Sequence, residues 1–153
     1  MRRIFVATVL ASSTLSAPAF GDDAKGALKE FGLLGTWSPD CSKAISDQKG
    51  SRVSFAAPGE GSATATVQET KGEAFVTTVH EVLESTMIDS KKIRVALRPV
   101  TITRSDGKAA SQHEYDSVRL VFQKIGERIE IIRVQFEGLP EIEQASLFER
   151  CLN

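Results

Sequence analysis

The side chains that could do chemistry are few in this sequence, and their spacing brings no catalytic set together. The two histidines, His80 and His113, lie in different segments, and each is followed by a glutamate. Zinc sites need three or four convergent ligands, so we expect no metal. No serine lies in the Gly-x-Ser-x-Gly turn of α/β-hydrolases, so we expect no enzymatic activity and no cofactor. We interpret His80 as a partly exposed strand residue and His113 as a solvated turn residue.

The charge balance disfavours one class of partner. The chain has 19 Lys and Arg residues and 20 Asp and Glu residues, which gives a net charge of −1 at pH 7. Proteins that bind nucleic acid do so through basic patches or stripes, so the sequence predicts no nucleic-acid partner. A chain of 153 residues is long enough for one domain with a single core.

The amino terminus has the pattern of an export signal. Residues 2 and 3 are arginines, residues 4–11 form an apolar run, and small residues follow up to position 21. Signal peptidase requires small side chains at the third and first positions before the cut. Ala19 and Gly21 satisfy this requirement for cleavage before Asp22, which we prefer. Cleavage before Phe20 is the alternative.

The apolar run is too short for a membrane anchor, because a spanning helix needs about 20 apolar residues. No cysteine lies at the cleavage site, which argues against a lipid anchor. We therefore predict a signal peptide over residues 1–21 and one domain over residues 22–153. This domain is expected to be periplasmic or secreted, without a membrane anchor.

Cys41 and Cys151, the only cysteines, bracket most of the predicted domain. Two cysteines in an oxidising compartment usually pair, so we predict an intramolecular disulfide. Two free thiols or an intermolecular bridge are the alternatives. A redox role is disfavoured because there is no Cys-x-x-Cys motif. A bridge would place the first strand beside the last residues, and a closed sheet meets that constraint directly.

Alternating apolar residues predict about eight strands joined by short turns, as in a sandwich or an up-and-down barrel. Ile93, Val95 and Leu97 show this alternation most clearly. Imperfect alternation after residue 73 indicates a bulge or burial on both faces. Pro99 indicates a bend, because proline cannot donate to a ladder. The predicted strands cover residues 35–38, 52–57, 63–68, 73–83, 93–103, 118–123, 132–136 and 146–151.

Two short helical segments are predicted. Asp23 is a candidate N-cap of the first, and Gly32 is a candidate stop signal at its end. A second helical turn is predicted to begin at Pro140, because proline suits the first turn of a helix. The apolar face of the first helix consists of Ala24, Leu28 and Phe31.

The order of these features resembles the lipocalin or calycin pattern. Gly35-Thr36-Trp37 opens the first strand after a short helix, meandering strands follow, and Arg150 lies near the C terminus. In that family the tryptophan plugs the closed end of an eight-stranded barrel, and an arginine packs across its indole. The resemblance implies an eight-stranded antiparallel up-and-down barrel with a short N-terminal helix. Gly35, Trp37 and Arg150 would form its plug.

A second likeness is to small periplasmic proteins of unknown function. Those proteins carry Gly-Thr-Trp, Asp-Cys and a terminal Cys, which correspond here to residues 35–37, Asp40-Cys41 and Cys151. The likeness implies the same compartment and leaves the function open.

Two classes of function fit this sequence. In the first, the barrel interior binds a small apolar or amphipathic ligand, and an open apolar interior above about 300 Å³ would favour it. In the second, the barrel is a protein-interaction module, such as a periplasmic lysozyme or protease inhibitor, that uses a loop or residues 22–34. The candidate ligand-lining residues are Phe55, Ala63, Ala65, Ala96, Phe122, Val134 and Phe136.

Overall fold

A computed structural model describes residues 20–43, 45, 50–59, 62–71, 73–110 and 115–152. Residues 1–19 of the predicted signal peptide and His113 lie outside the described residues. The first element is the helix α1 (Phe20–Phe31), which begins at one candidate cleavage position and contains the other. The signal peptide and its cleavage site therefore stay predictions. No helix in the described ranges is long and apolar enough to cross a membrane.

The described part of the chain continues after α1 with eight strands: β1 (Gly35–Ser38), β2 (Ser51–Ala56), β3 (Thr64–Lys71), β4 (Ala74–Asp89), β5 (Lys92–Arg104), β6 (Val118–Ile125), β7 (Arg128–Phe136) and β8 (Ile142–Cys151). Each strand pairs with the next in antiparallel fashion, and β1 also pairs with β8. The sheet is therefore a closed up-and-down barrel. The predicted eight-stranded antiparallel barrel with a short N-terminal helix is confirmed.

The hairpin of β4 and β5 is longer and less regular than the sequence pattern indicates. β4 has 16 residues, and Pro99 lies within β5 rather than ending it. Pro99 pairs with His80 beside a register shift between Val79 and His80. A bulge interrupts the ladder locally, so a residue without an N–H is accommodated there. A second register shift between Val82 and Glu84 accounts for the imperfect alternation in β4.

The prediction of a helical turn beginning at Pro140 is wrong. The chain makes a tight turn after β7, in which the Leu139 N–H donates to the Phe136 carbonyl at 3.0 Å. Gly138 in this turn has a φ of 76°, a conformation that glycine adopts without steric cost. β8 begins at Ile142, so only Pro140 and Glu141 remain between this turn and the strand, too few residues for a helical turn.

α1 closes the end of the barrel at which β1 begins. The predicted apolar face of the helix, Ala24, Leu28 and Phe31, is buried. Ser85, near the end of β4, donates from its hydroxyl to the Ala24 carbonyl. Lys124, near the end of β6, places its Nζ 4.6 Å from the centroid of the Phe31 ring. The helix is thus held by strands that end at the same rim of the barrel.

The C-terminal end of α1 follows the prediction, and its N-terminal end does not. Asp23 lies inside the helix, which begins at Phe20, so it is not the N-cap. At the other end Gly32 has a φ of 78°, and its N–H donates to the Lys29 carbonyl at 3.0 Å. The Leu33 N–H donates to the Leu28 carbonyl at 2.9 Å. These two bonds form a Schellman motif, which ends the helix and satisfies its last carbonyls.

The predicted disulfide between Cys41 and Cys151 is confirmed, and it lies at the seam between β1 and β8. The two Cα atoms are 5.2 Å apart, although 110 residues separate them in sequence. After β1 the chain folds back along β8, and the Cys41 N–H donates to Oε1 of Glu149 at 2.9 Å. The bridge therefore ties the first strand covalently to the last.

We expect reduction of this bridge to lower the free energy of unfolding by about 4 kcal/mol, because a bridge over so long a loop restricts the unfolded chain. Denaturant titrations with and without reductant measure the change. The double variant Cys41→Ser/Cys151→Ser should match the reduced protein and be insensitive to reductant. Two alkylatable thiols in folded, unreduced protein would contradict the bridge.

Candidate functional site

The barrel interior has a packed half next to α1 and an open half at the opposite end. In the packed half the rings of Phe55 and Phe122 meet edge to face, with 5.7 Å between their centroids and 86° between their planes. The open half contains a cavity of about 840 Å³. The two halves therefore differ in how tightly their side chains are packed.

Trp37 and Arg150 meet in the packed half, beneath α1. The Trp37 side chain is only 4% exposed, and its Nε1–H donates to the Leu33 carbonyl at 2.8 Å. The guanidinium carbon of Arg150 lies 5.7 Å from the centroid of the Trp37 ring. Arg150 also donates from Nη2 to the Leu34 carbonyl at 3.0 Å. The arginine thus joins the last strand to the chain segment that enters the first.

The contact between Trp37 and Arg150 helps to explain why the first residue of the Gly-x-Trp motif is a glycine. Gly35 has a φ of 118°, which residues with a Cβ rarely adopt. A Cβ at this position would also lie 3.4 Å from Nη2 of Arg150. Glycine therefore permits both the turn into β1 and the close approach of the guanidinium.

We expect Trp37→Ala to lower the free energy of unfolding by about 3–5 kcal/mol, the range for emptying a buried aromatic site. Arg150→Met should cost less, because it retains much of the side-chain volume while removing the charge and its hydrogen bond. Denaturant titrations measure both changes. A fluorescence maximum of native Trp37 at the wavelength of a fully exposed indole would contradict the burial on which this prediction depends.

Rows of paired residues on β3, β4 and β5 follow the cavity wall from its mouth to its floor. The side chains nearest the mouth are charged, and those farther in are mainly apolar until the floor is reached. His80 lines this floor, and Ala65 beside it is fully buried. From mouth to floor the rows are Glu69–Val76–Arg104, Val67–Thr78–Ile102 and Ala65–His80–Pro99.

Three of the residues predicted to line a ligand site, Phe122, Val134 and Phe136, line the cavity. The others do not, and their placement is a correction. Phe55, Ala63 and Ala65 belong to the packed core. They lie nearer to α1 than Val53 and Val67, which occupy the cavity wall on the same two strands. The small side chains therefore make room for the packing below the cavity rather than for a ligand.

Ala96 lies on the outer face of β5, and its predicted inward position is wrong. Its neighbours Val95 and Leu97 belong to the core, and successive side chains of a strand point to opposite faces. Ala96 pairs with Glu84 on one side and with Arg119 on the other. Its small size therefore adds no space inside the barrel.

A contact between His80, which is buried, and Tyr115, which is partly buried, was not predicted. His80 is only 2% exposed, and its Nε2 lies 3.2 Å from the Tyr115 hydroxyl. The two rings are nearly parallel, with 6.5 Å between their centroids. The spacing of His80 from Val76 and Val82 could have indicated its inward position. Nothing in the sequence indicates the contact with Tyr115, which lies between β5 and β6.

The mouth of the cavity, defined here by Glu69, Arg104 and Glu137, carries charged groups. Arg104 is paired with Asp106, with 3.0 Å from Nε to Oδ1 and 2.8 Å from Nη2 to Oδ2. Hydrogen bonding from Arg104 holds the pKa of the Asp106 carboxyl well below its ordinary value. Glu137 accepts a hydrogen bond from the Ser117 hydroxyl at 2.8 Å. The arginine is therefore paired with one carboxylate, which Lys108 also approaches to 3.8 Å, whereas Glu69 and Glu137 line the opening.

Comparisons with family models, curated proteins and solved structures show no match to this chain. The lipocalin resemblance therefore stays a prediction. Within the described ranges, no group of three or more His, Cys, Asp or Glu side chains is placed to hold a metal ion.

Proposed function

We propose that this protein binds a small amphipathic molecule in the open half of its barrel, without transforming it. The observation that supports this most is the cavity of about 840 Å³. Sites for small molecules are concave and mostly apolar, usually with volumes of about 300–1,000 Å³ and a few placed polar groups. The cavity fits this description in volume and in lining.

The distribution of polar groups favours an amphipathic ligand over a purely apolar one. Thr78 and the His80–Tyr115 pair offer hydrogen-bonding groups in the cavity lining. Apolar side chains such as Val67 and Leu120 line the wall. Charged groups follow at the mouth. A molecule with an apolar body and polar groups would be matched by both kinds of surface.

The unfilled volume itself supports a binding role. Protein interiors are normally close-packed, with few voids larger than a water molecule. The cavity lies beside a core that is packed to completion around Phe55 and Phe122. A ligand in the open half would bury apolar wall that otherwise faces water.

The proposed compartment is the periplasm or the extracellular space. The Cys41–Cys151 bridge supports it, because disulfides form and persist in oxidising compartments. The pattern of residues 1–21 is a second line of support. The proposal of a lipocalin-like protein rests on the closed barrel and on the contact of Trp37 with Arg150.

The interaction-module hypothesis finds less support. Under that hypothesis, one surface predicted to contact a protein partner is the segment from residue 22 to residue 34. Its apolar side chains Ala24, Leu28 and Phe31 are buried against the barrel. They therefore cap the barrel and are not presented to a protein partner.

Titration with the uncharged dye Nile red, followed by its fluorescence, tests the proposed function. We expect saturable binding to the native protein. Thr78→Phe should weaken that binding by about tenfold or more, because it places a large ring inside the cavity. Thr77→Phe is the matched control, because Thr77 is the next residue of β4 and lies on its outer face.

Thermal unfolding of both variants shows whether each retains the fold. Absence of dye binding to the native protein would contradict the proposed function. Equal binding by Thr78→Phe and Thr77→Phe would also contradict it, because the dye would then bind outside the barrel.

A further inference from the structure

We propose that the ligand of this cavity is a cationic amphiphile, with an amine or quaternary ammonium group held at the mouth. This inference rests on the proposed function, and it deepens it by naming the chemical class of the ligand. The cavity provides the site, and two independent features of its lining decide the charge of the ligand. These features are the balance of charge at the mouth and a pair of aromatic rings.

The first feature is an excess of carboxylates at the mouth. Glu69 and Glu137 both line the cavity. They belong to opposite walls, since Glu69 lies on β3 and Glu137 follows β7. The hydrogen bond from Ser117 holds the Glu137 carboxylate in place. A cation at the mouth would therefore be attracted by carboxylates from two sides.

The cationic side chains do not offset this charge. Two arginines and no lysines line the cavity within the described residues. Arg104 already makes two hydrogen bonds to Asp106, so a ligand carboxylate would have to compete with a bidentate partner. That competition disfavours an anionic head group at this wall.

Arg52 also lines the cavity, and its buried Nε has no hydrogen-bond partner among the described residues. Arg52 lies between Ser51 and Val53 in β2 and pairs with Gln68. Its Nη2 donates to the Lys43 carbonyl at 3.3 Å, in an exposed contact. Because Val53 belongs to the core, alternation places the Arg52 side chain on the outer face. Its guanidinium therefore lies on the outer side of the wall, even though the residue also borders the cavity.

The second feature is the pair of rings next to Glu137. Tyr115 and Phe136 both line the cavity. Their centroids are 4.9 Å apart, and their planes meet at 50°. The faces of aromatic rings attract cations, and aromatic corners and cages recognise quaternary ammonium groups. Phe136 immediately precedes Glu137 in sequence, so the two rings and this carboxylate belong to the same side of the cavity lining.

Calorimetric titration with decyltrimethylammonium and with decanoate, both below their micelle-forming concentrations, tests the proposal. The two probes share an alkyl tail and differ in the sign of the head-group charge. We expect the cation to bind about tenfold more tightly, from a contribution of about threefold per exposed carboxylate. The preference should shrink as salt is added, because mobile ions screen exposed charges.

The double variant Glu69→Gln/Glu137→Gln should lose this preference and retain Nile red binding, because the uncharged dye does not depend on the carboxylates. Glu127→Gln is the matched control, because Glu127 lies in the turn between β6 and β7 at the opposite end of the barrel. It should leave the preference unchanged.

Equal affinity for the two probes, or tighter binding of decanoate, would overturn the inference while dye binding still upheld the proposed function. Loss of decanoate binding in Arg52→Gln would then identify Arg52 as an anion anchor. If neither probe nor the dye binds the native protein, the inference and the proposed function both fail.

Discussion

The pairing of β1 with β8 is the interaction on which the rest of the structure depends. β1 has four residues, and three of them pair with β8. Without this contact the sheet would have two unpaired edges, which are templates for association with other chains. The Cys41–Cys151 bridge and the contact of Trp37 with Arg150 both lie at this seam. A very short strand is sufficient for closure because covalent and side-chain contacts supplement its few ladder hydrogen bonds.

Closure at one end makes an unfilled volume at the other end possible. α1, Trp37 and the Phe55–Phe122 pair concentrate apolar burial beneath the helix. Burial of that kind supplies most of the favourable free energy of folding. The opposite half therefore does not need to be packed to the same density. The hydrogen bonds between strands and the Cys41–Cys151 bridge maintain the barrel wall around the cavity. The side chains that line the cavity can therefore be apolar, polar or charged.

The sequence predicts the features that depend on local periodicity and misses those that depend on irregularity. The strands and the apolar face of α1 follow from periods of 2 and 3.6 in the sequence. The cysteine pair follows from the predicted oxidising compartment. The predicted inward position of Ala96 is wrong because the alternation of β5 places this residue on the outer face. The burial of His80 and its contact with Tyr115 depend on a bulge and on a loop 35 residues away. Neither feature has a periodic signal.

The register shift beside Pro99 determines the chemistry of the cavity mouth. A shift of one residue exchanges the two faces of a strand. Leu97, before the shift, and Arg104, after it, both line the cavity, although strict alternation would place them on opposite faces. The shift therefore turns Arg104 inward, where the carboxylate of Asp106 neutralises it. Glu69, across Val76 in the same row, lines the opening without an ion pair to any other described residue. The net charge of −1 for the whole chain does not indicate this arrangement. The position of each charge depends on backbone register and not on composition.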